Sequence, residues 1–229
     1  MTKKEEHKNE ILENPEVLAE KLEGAEHWLE KNPKIVFGIG GALLLLVAGY
    51  FGFNYYKDTK NAEAQKEMFQ AVYYFEQDSL KLALEGDGNN LGFLDLVEDY
   101  GFTDAGKLSS FYAGASYLKQ GKYELARLYL EDFSSNDLLV QARAYSLIGD
   151  SYMEEQKFED AASYYSKAAG YKPNKYFSPA YLMKAALAYE KLNQNDKAIQ
   201  AYDKIITEYW ESAEYQNARK FKSRLENNS

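Results

Sequence analysis

Between Lys34 and Lys57 the chain carries no charged side chain: Ile35 to Tyr56 reads IVFGIGGALLLLVAGYFGFNYY. In hydrocarbon every backbone polar group must be satisfied within its own segment, so such a run folds as a helix, and crossing a bilayer takes about 20 apolar residues. The run predicts a transmembrane helix. Lys31 and Lys34 before it, and Tyr50, Tyr55, Tyr56 and Lys57 after it, mark two interfaces, because amphipathic rings settle at headgroup depth. A cleaved signal peptide would open on a short basic region, whereas the residues ahead of this run hold more Glu than Lys, so an uncleaved signal anchor is expected. Lys21, Lys31 and Lys34 on one side balance Lys57, Lys60 and Lys66 on the other, and the positive-inside rule gives no orientation. Small residues recur four apart at Gly38 and Ala42 and at Ala48 and Gly52, the spacing at which membrane helices approach closely, which makes these four the candidate packing positions in the bilayer.

The chain as a whole has the composition of a folded protein: 45% of its 229 residues are apolar, enough to build a core. The formal net charge is −9, and Lys and Arg are scattered among Asp and Glu. Nucleic-acid binding needs a basic stripe that releases counterions, so it is excluded here. With no Cys there is no disulfide, thiolate metal site or cysteine nucleophile. Both histidines, His7 and His27, precede the apolar run, which leaves no imidazole downstream for general-base work or metal ligation. No Gly-rich phosphate loop, nucleophile elbow or acidic metal loop occurs, and neither an enzyme nor a cofactor is implied.

Ahead of the run, Met1 to about Asn14 is charged and poor in apolar residues and is expected to be disordered. A short helix should follow, capped by Asn14 with Pro15 in its first turn, placing Leu18, Leu22, Ala25 and Leu29 on one face with Trp28 nearby. Its polar face is rich in Glu, which anionic lipid repels, so solvent or a protein partner suits it better than a membrane surface.

Past Lys57 no proline occurs until Pro173, and the helical period runs on through Met68 or Phe69, Val72, Phe75, Leu80 and Leu84. The membrane helix is therefore expected to continue until the turn-forming stretch Glu85-Gly86-Asp87-Gly88-Asn89-Asn90 breaks it, with a short helix around Leu91 to Asp99 beyond.

From Lys107 a longer period sets in. Ala126, Ala161 and Ala198 stand thirty-five and thirty-seven residues apart. Nine residues before each is a tyrosine, Tyr117, Tyr152 and Tyr189; three further back are Gly114, Gly149 and Ala186; four after each are Leu130, Tyr165 and Tyr202. Two antiparallel helices approach closely where one offers Gly or Ala and the other a large side chain, so each unit reads as a helical hairpin whose apolar face its neighbours bury. Gly121-Lys122-Tyr123 supplies a turn within the first unit, Pro173 closes the second, and Ala213 to Leu225, with Tyr215, Ala218, Phe221 and Leu225 on one face, reads as a terminal cap. The 21 tyrosines thereby acquire a packing role rather than that of a ligand cage.

These landmarks resemble the tetratricopeptide family, whose period is about thirty-four residues, over roughly Lys107 to Tyr209. The opening Trp of that family is absent, and Trp210 stands where the third unit would carry proline. The expected fold is all-α: a single transmembrane helix followed by a helical-hairpin solenoid. Its expected parts are a tail at 1–34, the span at 35–56, linking helices and an atypical first repeat at 57–104, repeats at 105–211 and a capping helix at 212–229. A tail, one anchor, a long helix and then such repeats is similar to the layout of the YfgM-like ancillary subunits of the bacterial Sec translocon. That resemblance implies a cytoplasmic N-terminus and periplasmic repeats in the inner membrane, and a place beside the SecYEG channel with a membrane-anchored, PpiD-like chaperone, receiving exported polypeptides. An envelope scaffold acting in cell-wall or outer-membrane assembly is the alternative. In the family's usual pattern the first helix of each unit lines the concave face, which points to Leu108, Phe111, Leu118, Arg143, Met153, Met183 and Leu187 as the protein-binding groove, and soft Met-bearing surfaces adapt to many ligands.

Overall fold

The computed structural model describes residues 27–227 together with Ala19, Leu22 and Glu23. Asn14, Pro15, Leu18 and Ala25 of the expected tail helix lie outside the described residues, while Trp28 and Leu29 belong to an exposed helical turn at 27–31. The first long helix, α1, runs from Pro33 to Glu76 without interruption. It is long and apolar enough to cross a membrane, and none of its most apolar stretch is buried. The chain divides into two compact units at Tyr56 and Lys57, so α1 gives its apolar part to the first and its polar part to the second. In the first unit Gly38, Ala42, Ala48 and Gly52 all lie on open helix surface. A methyl group built onto Gly38 or Gly52 would meet nothing within 4 Å.

The second unit is all-α, with no strand among the described residues. After α1 come α2 (Leu80–Glu85), α3 (Phe93–Tyr100), α4 (Asp104–Lys119), α5 (Tyr123–Asp132), α6 (Leu138–Glu154), α7 (Phe158–Gly170), α8 (Ser178–Lys191), α9 (Asn195–Glu208) and α10 (Tyr215–Asn227). Helix α1 stops earlier than its apolar period suggested. Asp78 takes a left-handed φ of 55°, and the amides of Asp78 and Ser79 donate to the carbonyls of Phe75 and Tyr74 at 3.1 and 2.9 Å. Those two bonds satisfy carbonyls that the helix end would otherwise orphan. Leu80 and Leu84 keep the helical period because they sit on α2, which ends at Gly86. There the Asp87 carboxylate accepts from the amides of Asn89 and Asn90 and from the Tyr74 hydroxyl. These donors, Tyr74 foremost and then Asn90, hold the Asp87 carboxyl well below the usual carboxylate range.

Three hairpins follow, α4 with α5, α6 with α7 and α8 with α9, and α10 packs against α9. Ala126, Ala161 and Ala198 are each fully buried. The small residues face the large ones as the spacing requires: an added Cβ would lie 2.5 Å from Leu130 at Gly114 and 2.7 Å from the Tyr165 ring at Gly149. In the third hairpin Ala186 and Tyr202 are both fully buried in one cluster. Tyr117 stacks on Tyr129 with ring centres 5.5 Å apart, and Tyr152 on Tyr164 at 5.6 Å. Each hairpin turns through one left-handed residue, Gly121, Gln156 or Asn193.

The same register recurs once more, upstream of the stretch that carried it in the sequence. Ala83 on α2 is fully buried, Tyr74 stands nine residues before it and the fully buried Ala71 twelve before it, with left-handed Asp78 at the turn. The last part of α1 and α2 thus form a fourth hairpin, separated from the others by the inserted segment 86–103. Core clusters then run through the stack in sequence. Ala64, Ala71, Phe93, Leu96 and Ala126 form one; Phe111, Leu130, Phe133, Ala144 and Ile148 the next; Ala161, Tyr165, Ala185 and Ala188 another; and Ala198, Tyr202, Ile205, Ala218 and Leu225 the last. Each buries the face that its neighbour leaves open, which is how solenoids are stabilised.

Candidate protein-binding groove

The first helices of successive hairpins carry the residues singled out for binding. Leu118 on α4 and Met153 on α6 come together in one cleft of about 590 Å³, with Tyr123, Asp150, Glu154 and Tyr165 around them. Leu108 lines a different cleft, of about 580 Å³, with Lys107, Phe133, Asn136 and Val140. Phe111 is only 7% exposed and belongs to the core between α4, α5 and α6. Arg143 is exposed, and its charge lowers the Tyr181 phenol against the larger effect of burial, which raises it. Met183 is half-buried against the last core cluster, and Leu187 is 41% exposed on α8.

Asp150 and Tyr165, which line the Leu118 and Met153 cleft, belong to a polar cluster that periodicity does not reveal. Lys184 Nζ on α8 donates to both carboxylate oxygens of Asp150 on α6, at 2.8 and 2.9 Å, and reaches Ser146 Oγ at 3.2 Å. The Tyr165 hydroxyl on α7 donates to Asp150 Oδ1 at 2.7 Å. Burial, then the charge of Asp150, pushes the Tyr165 phenol far up, so it stays a neutral donor at any physiological pH. Tyr202, donating to Glu190 at 2.6 Å, is raised by burial and by that carboxylate in the same way. Charged side chains on a first helix read in sequence as solvated surface, and only the fold shows that Asp150 and Lys184 meet. The cleft therefore offers a Leu and a Met for an apolar side chain beside a fixed acid and a phenol, which suits a peptide segment better than a reacting small molecule. Among the described residues no group of three or more His, Cys, Asp or Glu is gathered for a metal.

The tetratricopeptide repeat family matches residues 111–175 and again residues 147–213. This stretch, from within α4 to just past the third hairpin, is similar to tetratricopeptide repeats, and its successive helical hairpins form an all-α repeat solenoid. The hairpin of α1 and α2 lies outside the matched residues. A comparison with curated proteins gave no match.

Proposed function

We propose that this protein is a membrane-anchored interaction subunit that holds other polypeptides in the groove of its repeats and performs no chemistry on them. The observation that carries this reading is the cleft in which Leu118 and Met153 meet between two repeats, in a chain that also bears an apolar helix with its apolar stretch unburied. Leu118 and Met153 contact the bound segment directly, with Leu108, Met183 and Leu187 extending the apolar path and Arg143 at its rim. Phe111 acts from the core by fixing α4. In the bilayer, Gly38, Ala42, Ala48 and Gly52 form the packing face for a partner helix.

By likeness of layout, the protein serves as an ancillary subunit of the Sec translocon, or as a periplasmic holding chaperone working with a PpiD-like partner on exported proteins. Its N-terminus is then cytoplasmic and its repeats periplasmic. Purification of the full chain in mild detergent, with identification of what accompanies it, tests this. SecYEG or a periplasmic folding factor is the expected companion; cell-wall or outer-membrane assembly proteins in their place would favour the scaffold alternative. Tags at each end and protease access in spheroplasts test the orientation, and cytoplasmic repeats would overturn every envelope-side partner.

A further inference from the structure

Two exposed aromatic side chains meet in one small cleft near the end of the solenoid. Tyr176, in the segment that joins α7 to α8, is 74% exposed, and Trp210, in the segment that joins α9 to α10, is 64% exposed. Both line a cleft of about 350 Å³ together with Lys175, Glu208, Glu211 and Glu214. A ring left in water forgoes the free energy of burial, and Trp and Tyr are among the residues that most often supply that energy at an interface. The repeat does not require this tryptophan, since by the spacing it takes the place that Pro173 holds one unit earlier.

Backbone bonds fix both segments before any partner arrives. The amides of Tyr176 and Phe177 donate to the side-chain oxygen of Asn174 at 3.1 and 3.0 Å. Around Trp210, the amides of Tyr209 and Ser212 donate to the carbonyls of Ile205 and Tyr209 at 3.0 and 2.9 Å. Preorganisation of this kind lowers the entropy lost on binding. The cleft already holds one cation: Lys175 Nζ lies 5.7 Å from the centre of the Tyr176 ring and 3.5 Å from the Glu211 carboxylate. That contact takes up Tyr176 and Glu211. Among the described residues Trp210 has no ring or cation against it, Glu214 forms no ion pair, and Glu208 has only Lys204, at 3.9 Å one turn back on its own helix.

An open indole face beside uncompensated carboxylates is complementary to a cation. A guanidinium fits best, because it is planar and weakly hydrated and can stack on the ring while its N–H groups reach carboxylates. Three carboxylates against one ammonium disfavour an acidic partner. A free amine would leave most of both rings in water, whereas a polypeptide segment that carries the cation covers them. We propose that this cleft takes an arginine side chain of a partner polypeptide, stacked on Trp210 and held by Glu208 and Glu214, with Tyr176 under the flanking residues. The site shares no residue with the cleft in which Leu118 and Met153 meet, and it does not depend on the span.

The chain has two tryptophans, Trp28 and Trp210, so Trp28→Phe leaves Trp210 as the sole tryptophan emitter in the full-length protein. In neutral detergent this variant is titrated with the peptide acetyl-Ala-Leu-Arg-Ala-Arg-Leu-Ala-amide, and with the same peptide carrying citrulline, which keeps the shape of arginine without its charge. The arginine peptide is expected to change Trp210 emission saturably and the citrulline peptide to bind about tenfold more weakly, the difference shrinking as salt is raised. In calorimetry on the chain with Trp28 retained, Trp210→Ala is expected to weaken the arginine peptide about tenfold, and Glu208→Gln with Glu214→Gln about fivefold. No response of Trp210 to the arginine peptide, or equal affinity for the two peptides, would overturn the inference and leave the groove reading standing. Weakening by Met153→Ser in place of Trp210→Ala would put the peptide in the groove and overturn it as well. Spermine that binds as tightly as the peptide would overturn it in favour of a small polyamine.

Discussion

Gly149 approaches the Tyr165 ring so closely that a methyl group there would sit 2.7 Å from it. The ring is buried and tied to Asp150, so it cannot swing away without breaking that bond. Gly149→Ala is expected to cost about 1–3 kcal/mol by overpacking, read as a lower midpoint in thermal unfolding followed by circular dichroism. Arg127 holds a second such position. Its guanidinium donates to Glu155 at 2.7 Å and to Ser151 at 3.2 Å and stacks 4.4 Å from the Tyr152 ring centre, joining the first matched hairpin to the second. Arg127→Ala is expected to cost about 1–2 kcal/mol, because it removes the stacking and leaves the half-buried Glu155 carboxylate with Lys157 as its remaining cation. The same hydrogen bond from Arg127 lowers the Glu155 carboxyl below 4.5. A depressed folded value means the contribution is complete above that pH and is lost as acid protonates Glu155. Acidification below 4.5 should therefore destabilise the natural protein more than the Arg127→Ala variant. At this scale the packing partners were legible, since Gly114, Gly149 and Ala186 repeat at fixed distance from Leu130, Tyr165 and Tyr202. The Asp150 and Lys184 pair was not, because neither residue follows an apolar period and their meeting depends on how α6 and α8 are stacked.

The hairpin turns show why elements end where they do. In each, the left-handed residue lets two amides reach back to carbonyls of the preceding helix, as Gln156 does to Met153 at 3.1 Å and Lys157 to Tyr152 at 2.9 Å. A left-handed conformation costs a residue with a Cβ about 1–2 kcal/mol, and glycine avoids most of this while losing more backbone entropy. Gln156→Gly is accordingly expected to stabilise the fold by about 0.5–1 kcal/mol, and Gly121→Ala to destabilise it by a similar amount, both measured as shifts in denaturant midpoint. The end of α1 was misplaced in sequence for the same reason. Gly and Pro are the stop signals a sequence displays, whereas Asp78 closes α1 by the same two bonds that are made at Gly121. An atypical first repeat is expected in the sequence at 57–104; Ala71, Tyr74 and Ala83 keep the spacing of the later units, with the inserted segment 86–103 between them.

For the whole molecule, two features are legible in the sequence: an uncharged run able to cross a membrane, and a recurring pattern of small residue, tyrosine and alanine that a solenoid explains. Partners follow from neither, since a groove's shape and charge define a class of ligand and not its name. That the groove of the first helices holds protein is tested most directly by placing a photo-crosslinking side chain at Met153, and separately at Leu128 on α5, which is 61% exposed and outside the cleft. In cells making the full chain, Met153 is expected to yield adducts with exported polypeptides or envelope proteins while Leu128 yields few. Equal labelling from both positions, or adducts from Leu128 alone, would contradict the groove.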